Sequence, residues 1–246
     1  MPPAPLPGPF EGEAPTADQE RAVAELQAAA PPVRDDVALA LAYNGVTEAS
    51  LNEQVALPAP QVGDVAPFNV LNIDSNFNVS IEARLQHASE HAYFWFDTTL
   101  PAPASAALEE AAAAFDAIYE RNVGNFGEET RPGIDGDERL HILNAAPGAI
   151  CDQAAACGLL GYFSSSDALP RLVNEYSNER DMFVMNGEYF STATYIHVLA
   201  HEFRHTIEDN YDPSDADWEV EGSAMLAEEL AGYPFSPIDR GNAFLE

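Results

Sequence analysis

Apolar and polar residues alternate along this chain with two different periods, and the changes between them outline its elements. Residues 1–15 are rich in Pro, Gly and Glu and predict a flexible lead. Residues 17–30 have a helical composition that Pro31-Pro32 stops, and residues 35–43 predict a second helix ending at the turn signal Asn44-Gly45. Pro58, Pro60 and Gly63 mark a linker, after which the period becomes two. Val79, Ile81, Ala83 and Leu85 alternate with polar residues, and residues 91–98 predict an aromatic-rich strand.

Helical spacing returns over residues 105–121, where Leu108, Ala112, Phe115 and Ile118 recur at intervals of three and four and predict one buried face. A turn-rich loop at 131–137 follows, and residues 139–144 and 181–186 predict strands. From Thr192 a helix carries the apolar stripe Ile196, Leu199, Ala200, Phe203 and Ile207. A last helix starts near Trp218, carries Ala224, Leu226, Ala227 and Leu230, and stops at Gly232 with Pro234 beyond. The order helix, strands, helix, strands, helix, helix predicts an α+β fold rather than regular α/β alternation.

Composition narrows the function classes. With 246 residues and 46% hydrophobic content the chain is long enough for a packed core. Its net charge of -31 comes from 41 acidic residues against ten Arg and no Lys. Nucleic acid and anionic membrane surfaces are poor partners for such a field, since both require positive charge. The charge fits a solvated surface for high salt, heat or a proteolytic environment, and it also fits a specific cationic partner. No run approaches the roughly 20 apolar residues that span a bilayer. The N-terminus has neither the basic nor the apolar segment of a signal peptide, an appearance that a removed signal replaced by Met would share. Cys151 and Cys157 are close enough for a disulfide that closes a short ring; two free thiols or a metal or redox site are the alternatives, although the spacing is not CxxC. A disulfide leans towards an exported protein.

The candidate chemistry lies in His201-Glu202-Phe203-Arg204-His205, an HExxH pattern. At 3.6 residues per turn, positions i and i+4 share a helix face, so both imidazoles can reach one zinc ion at about 2 Å. Glu202 is placed to take a proton from a water at the metal. Chance alone produces this pattern in roughly one chain per hundred of this length, so its surroundings must support it. They do in one respect: the stripe from Ile196 to Ile207 faces nearly opposite to His201 and His205, as a helix between a core and a cleft requires.

Catalytic zinc usually has three protein ligands. Glu208 and Tyr211 stand where a metzincin would have Gly and His, which removes that class. His197 is too far along the helix to share an ion with His205 and reads as structural or supporting. Glu221 is the preferred third ligand, because a loop of Asp, Pro and Ser would let the last two helices fold back as a hairpin. Asp209, Asp212, Asp215 and Asp217 compete with it. Glu228 lies two turns beyond Glu221 and reads either as an orienting partner of a ligating histidine or as a solvated carboxylate. Calcium is conceivable at Asp135-Gly136-Asp137 or in the 209–217 loop, although neither is an EF-hand.

With these residues the chain resembles the gluzincin group of secreted neutral zinc metallopeptidases, most closely the hyicolysin-type bacterial enzymes. The likeness covers His201 to His205, Trp218, and Glu221-Gly222-Ser223-Ala224. It extends to Gly161-Tyr162-Phe163-Ser164-Ser165 and to the block 174–180, and so to most of residues 100–232. The resemblance implies a zincin-like domain over residues 63–246, with a mixed, largely antiparallel sheet packed on the active-site helix; composition sets residues 1–62 apart as a flexible lead and an N-terminal helical segment. It implies Zn2+ held by His201, His205 and Glu221, Glu202 as general base, and hydrolysis of peptide bonds in a protein or peptide substrate outside the cell. Two departures stand out. Val220 replaces the Asn or Asp that often precedes the third-ligand Glu, and only 25 residues follow Glu221 where a helical subdomain generally closes the cleft. Tyr211 and Tyr233 are candidate oxyanion donors by proximity, although a buried structural role suits each better. An extended substrate is expected to pair with a sheet edge near residues 139–144. The competing readings are a zinc-binding but catalytically incomplete domain, and an acidic secreted interaction module in which HExxH is accidental. Oligomeric state is not legible.

Overall fold

A computed structural model describes residues 16–28, 34–51 and 58–232. The lead at 1–15, Pro31-Pro32, and everything from Tyr233 onward lie outside the described residues. The chain divides into two compact units, residues 1–35 and 36–246. In the first, α1 (Ala17–Ala28) begins with a capping box: Gln19 N–H donates to Thr16 Oγ1 at 3.3 Å and Thr16 N–H to Gln19 Oε1 at 2.8 Å.

The second unit opens with α2 (Asp36–Tyr43) and α3 (Glu48–Leu51), separated by Gly45 at φ 71°. Next come β1 (Val65–Asn72), β2 (Phe77–Ala88), β3 (Ala92–Asp97), α4 (Ser105–Phe126), β4 (Leu140–Ala145), α5 (Pro147–Ile150), β5 (Gly161–Phe163), β6 (Met182–Asn186), α6 (Ala193–Tyr211) and α7 (Asp217–Leu230). The strands form a single six-stranded sheet in the order β1-β2-β3-β4-β6-β5. It is mixed: β3/β4 and β4/β6 are parallel, and the other three pairings are antiparallel. The fold is therefore α+β, as the order of elements predicts.

Two cores follow from the alternation of side chains along the strands. Phe94, Phe96, Leu140, Ile142, Phe183 and Met185 face the helical layer, where Phe115 of α4 and Leu199, Phe203 and Ile207 of α6 meet them. Tyr93, Trp95, Leu143, Met182 and Val184 face the other way and pack with Phe68, Val70, Ala83 and Leu85 of β1 and β2. Strands of the same sheet can cover one another in this way only because the sheet curls. The curl brings its two ends together: Leu71 N–H of β1 donates to the Tyr162 hydroxyl of β5 at 2.8 Å. Asn178 completes the cover of β1, exchanging two hydrogen bonds of 2.8 Å with the backbone of Asn69. Its amide mimics a neighbouring strand and closes that edge.

The disulfide is formed, Cys151 to Cys157, beneath this second core. By the chain-entropy argument so short a ring contributes about 2 kcal/mol.

Helix α4 runs five residues past the predicted end at Arg121, although Asn122, Gly124 and Asn125 are poor helix formers. Tertiary contacts outweigh propensity there: buried Asn122 donates to Ala200 O of α6 at 3.0 Å, and Arg121 donates to Ala231 O at 2.8 Å. The edge expected at residues 139–144 is corrected. Strand β4 is paired on both sides, with β3 and β6, so its backbone groups are spent, and β5 is the strand with one unpaired side next to α6.

Candidate metal centre

Helix α6 is set between core and cleft by its own pattern. Thr192 caps its start, accepting the Tyr195 N–H at 3.2 Å, and Leu199, Ala200, Phe203 and Ile207 are fully buried against the sheet and α4. His201 and His205 emerge on the far face with side chains only 13% and 10% exposed. After a turn in which Asp212 accepts two hydrogen bonds from Ser214, α7 folds back antiparallel to α6. The pairing reads from the contacts: Glu208 with Ser223, His205 with Glu221, and His201 with Glu228.

The hairpin gathers His201, His205 and Glu221, whose ligand atoms all lie within 4.8 Å of one another. The Glu221 oxygens stand 3.4 Å from His201 Nε2 and 3.7 Å from His205 Nε2. Ligands at about 2.05 Å around a tetrahedral ion are separated by about 3.4 Å, so this spacing suits donors surrounding a zinc ion better than donors bonded to each other. His201 Nδ1 donates to Glu228 Oε1 at 2.8 Å, which fixes the ring and leaves Nε2 as the lone-pair atom. The residues present fit the metal. Among the described residues, no other group of three His, Cys, Asp or Glu side chains is drawn together in this way.

Protonation favours ligation at one ring and is contested at the other. Burial, with His201 and Arg204 nearby, pulls the His205 imidazolium pKa down to about 3, so the ring is neutral and able to bind a metal. Burial also pulls His201 down, but its hydrogen bond to Glu228 and the charges of Glu202, Glu228 and Glu221 outweigh this and raise it.

Glu202 is 5% exposed, on the side of α6 that meets β5. Burial pushes its carboxyl up to about 8; His201 and the Phe163 backbone oppose this, and Glu221 and Glu228 reinforce it. Gly161 is why the strand comes so close: a Cβ there would stand 3.1 Å from Glu202 Cγ and 3.0 Å from both Val198 Cγ1 and Val184 O. A cleft of about 380 Å³ opens over these groups, lined by β5, by His201, Glu202 and His205, and by Val220 and Glu221.

The other candidates separate from the site. Glu228 holds His201 rather than standing in solvent, and His197 is buried within reach of the Glu228 charge. Asp209, Asp212, Asp215 and Asp217 stay outside the donor group. In Asp135-Gly136-Asp137 every carboxylate oxygen already accepts a hydrogen bond, from His141, Asp137 N–H, Arg139 N–H and Tyr93. Tyr211 is corrected: it is 64% exposed rather than buried, and its hydroxyl accepts the Glu128 N–H at 3.2 Å, at the end of α4. Tyr233 lies outside the described residues.

Sequence reasoning missed the lip formed by β5 and the clamp behind the hairpin. In that clamp Glu208 Oε2 accepts from Ser223 at 2.8 Å and meets Arg204 Nη1 at 3.3 Å, and Arg204 lies over Phe126. The i, i+4 spacing of Arg204 and Glu208 was the available signal. No protein-family model matches the chain, and no curated protein sequence does.

Proposed function

We propose that this protein is a zinc-dependent endopeptidase of gluzincin type. The observation that carries the reading is the convergence of His201 Nε2, His205 Nε2 and the Glu221 carboxylate within 4.8 Å, beside a buried Glu202. Held by these three groups, zinc would supply Lewis acidity, polarising the scissile carbonyl and acidifying a water near neutral pH. Glu202 accepts the proton of the attacking water and passes it to the leaving amine. Glu228 keeps His201 in one tautomer and one orientation. The substrate backbone pairs with the unpaired side of Gly161–Phe163, which borders the cleft and presents main-chain groups to an extended peptide. The disulfide suits an exported enzyme.

A second reading, a zinc site without turnover, also has an observation behind it. Apart from the metal group and Glu202, the cleft is lined by Gly161, Tyr162, Phe163 and Val220, and the Tyr162 hydroxyl is engaged with Leu71. The Tyr162 ring packs against the second core, so among the described lining residues no side chain is placed to donate to an oxyanion. One comparison separates the two readings. The endopeptidase binds zinc stoichiometrically, cleaves casein, is stopped by a chelator, and loses cleavage but keeps zinc as Glu202→Gln. Zinc without cleavage selects the second reading, and no zinc uptake removes both.

A further inference from the structure

The two lips of the cleft differ in charge. β5 contributes Gly161, Tyr162 and Phe163, none of them charged, whereas α7 contributes Val220 and Glu221. Among the described residues no Arg lines the cleft, and the chain has no Lys. At 100° per residue, Val220 lies about 100° to one side of Glu221, and Asp217 lies about 40° to that same side, one turn nearer the start of α7. Asp217 thus projects between the azimuths of two residues that line the cleft, and it is exposed. Glu219, in the same first turn and also exposed, lies about 160° away from Glu221 and faces outward.

Asp217 is therefore an exposed carboxyl group one helical turn beyond the cleft lining, on the side of α7 that presents Val220 and Glu221, and uninvolved in the metal-ligand cluster. It stands on a molecule whose net charge of -31 concentrates cations and repels anions. An extended peptide paired with β5 turns alternate side chains to the helical side of the sheet, the side on which α6 and its partner α7 lie. A cationic side chain there finds a carboxylate, and an acidic one finds like charge.

We propose that this cleft selects peptides carrying Lys or Arg close to the scissile bond and that Asp217 is the residue that selects them. The inference rests on the endopeptidase reading for its substrate. A first-turn acid also stabilises its own helix, which is the other role open to Asp217, but Glu219 is placed equally well for that. Comparing the two isolates azimuth from charge.

The test uses the zinc-loaded full chain as Glu202→Gln, and two labelled peptides that share a neutral core flanked by Lys or by Glu. Fluorescence polarisation at low salt is expected to show the Lys peptide binding at least about fivefold more tightly, with the gap narrowing as salt rises. Asp217→Asn lowers the ratio by about two- to fivefold, the worth of an exposed ion pair, and Asp217→Arg lowers it further. Glu219→Gln changes it by much less. Equal affinities, absence of binding by both peptides, or equal losses from Asp217→Asn and Glu219→Gln overturn the proposal. Cleavage by the protein with Glu202 intact is scored separately. No turnover with the Asp217-dependent preference intact removes the endopeptidase reading and leaves Asp217 as a cation-selecting residue. Turnover without a charge preference does the reverse.

Discussion

A methyl group added at Gly161 tests the proposed general base apart from the proposed metal ligands without altering either. Its Cβ would lie 3.0 Å from Val184 O, 3.0 Å from Val198 Cγ1 and 3.1 Å from Glu202 Cγ. Carbon atoms settle at about 3.5–4.0 Å, so the two carbon contacts are short by about half an ångström, and the contact with the carbonyl oxygen is tight as well. Val184 belongs to β6, whose ladder to β4 and β5 holds its carbonyl in place, so relief comes from Val198 and Glu202. Overpacking of this kind costs about 1–3 kcal/mol. A displacement of 1 Å near the chemistry costs about 100-fold in rate, so half of that predicts a loss of about tenfold in kcat for Gly161→Ala. The metal ligands sit on the hairpin away from the new methyl, and zinc affinity is expected to stay within about twofold. The assays are urea unfolding, zinc competition against a chromophoric chelator, and single-turnover cleavage of a fluorogenic peptide. Unchanged kcat and stability would refute the packing argument. An equal loss of zinc and rate would show that Gly161 supports the whole helix rather than the base.

Two further outcomes test other parts of the structure. Glu228→Ala removes the 2.8 Å hydrogen bond that orients His201 and is expected to weaken zinc binding by about 10- to 100-fold, with Glu228→Gln milder; unaltered affinity on competition would mean the pair is incidental. Asp167 is 8% exposed, and burial pushes its carboxyl up to about 6 despite its hydrogen bonds from Asn178. Because this folded pKa lies above the unfolded value of about 3.9, the contribution is fully present below pH 4 and is lost as pH rises through 6. Two pKa units correspond to about 3 kcal/mol, so Asp167→Asn should match the wild type near pH 4 and exceed it by up to about that amount at pH 7. Urea unfolding of both proteins across this range checks it, and a difference that does not vary with pH would contradict the assignment.

The elements that could be read from the chain were those whose signal is local. Helix α6 and strands β2 and β3 carry their periods within a dozen or so residues, and their observed bounds agree closely with those periods. Strand β1 escaped because Pro67 and the nearby Pro and Gly argue against a strand, yet it is the end strand of the order, where proline costs no ladder bond if it faces outward. Strand β5 has only three residues, too few to display any period. What makes it a strand is β6 on one side and the absence of a side chain at Gly161 on the other.

The same division runs through the candidate site. His201 and His205 were legible because one helical turn is enough to bring them together. Glu221 needed the further inference that the Asp-rich loop reverses the chain, and the contacts of α6 with α7 bear that geometry out. Glu228 stayed ambiguous because spacing along α7 says which way a carboxylate points, but not whether a histidine waits there. The substrate edge was misplaced for a deeper reason. Which strand ends a sheet depends on crossovers, and here α4 carries the chain from β3 to a parallel neighbour, β4, while β6 enters between β4 and β5, which precedes it in the chain. That insertion moves the free edge to the lip of α6. It puts the open edge of β5 beside Glu202, so the place where an extended chain could add to the sheet is set by strand order rather than by any motif.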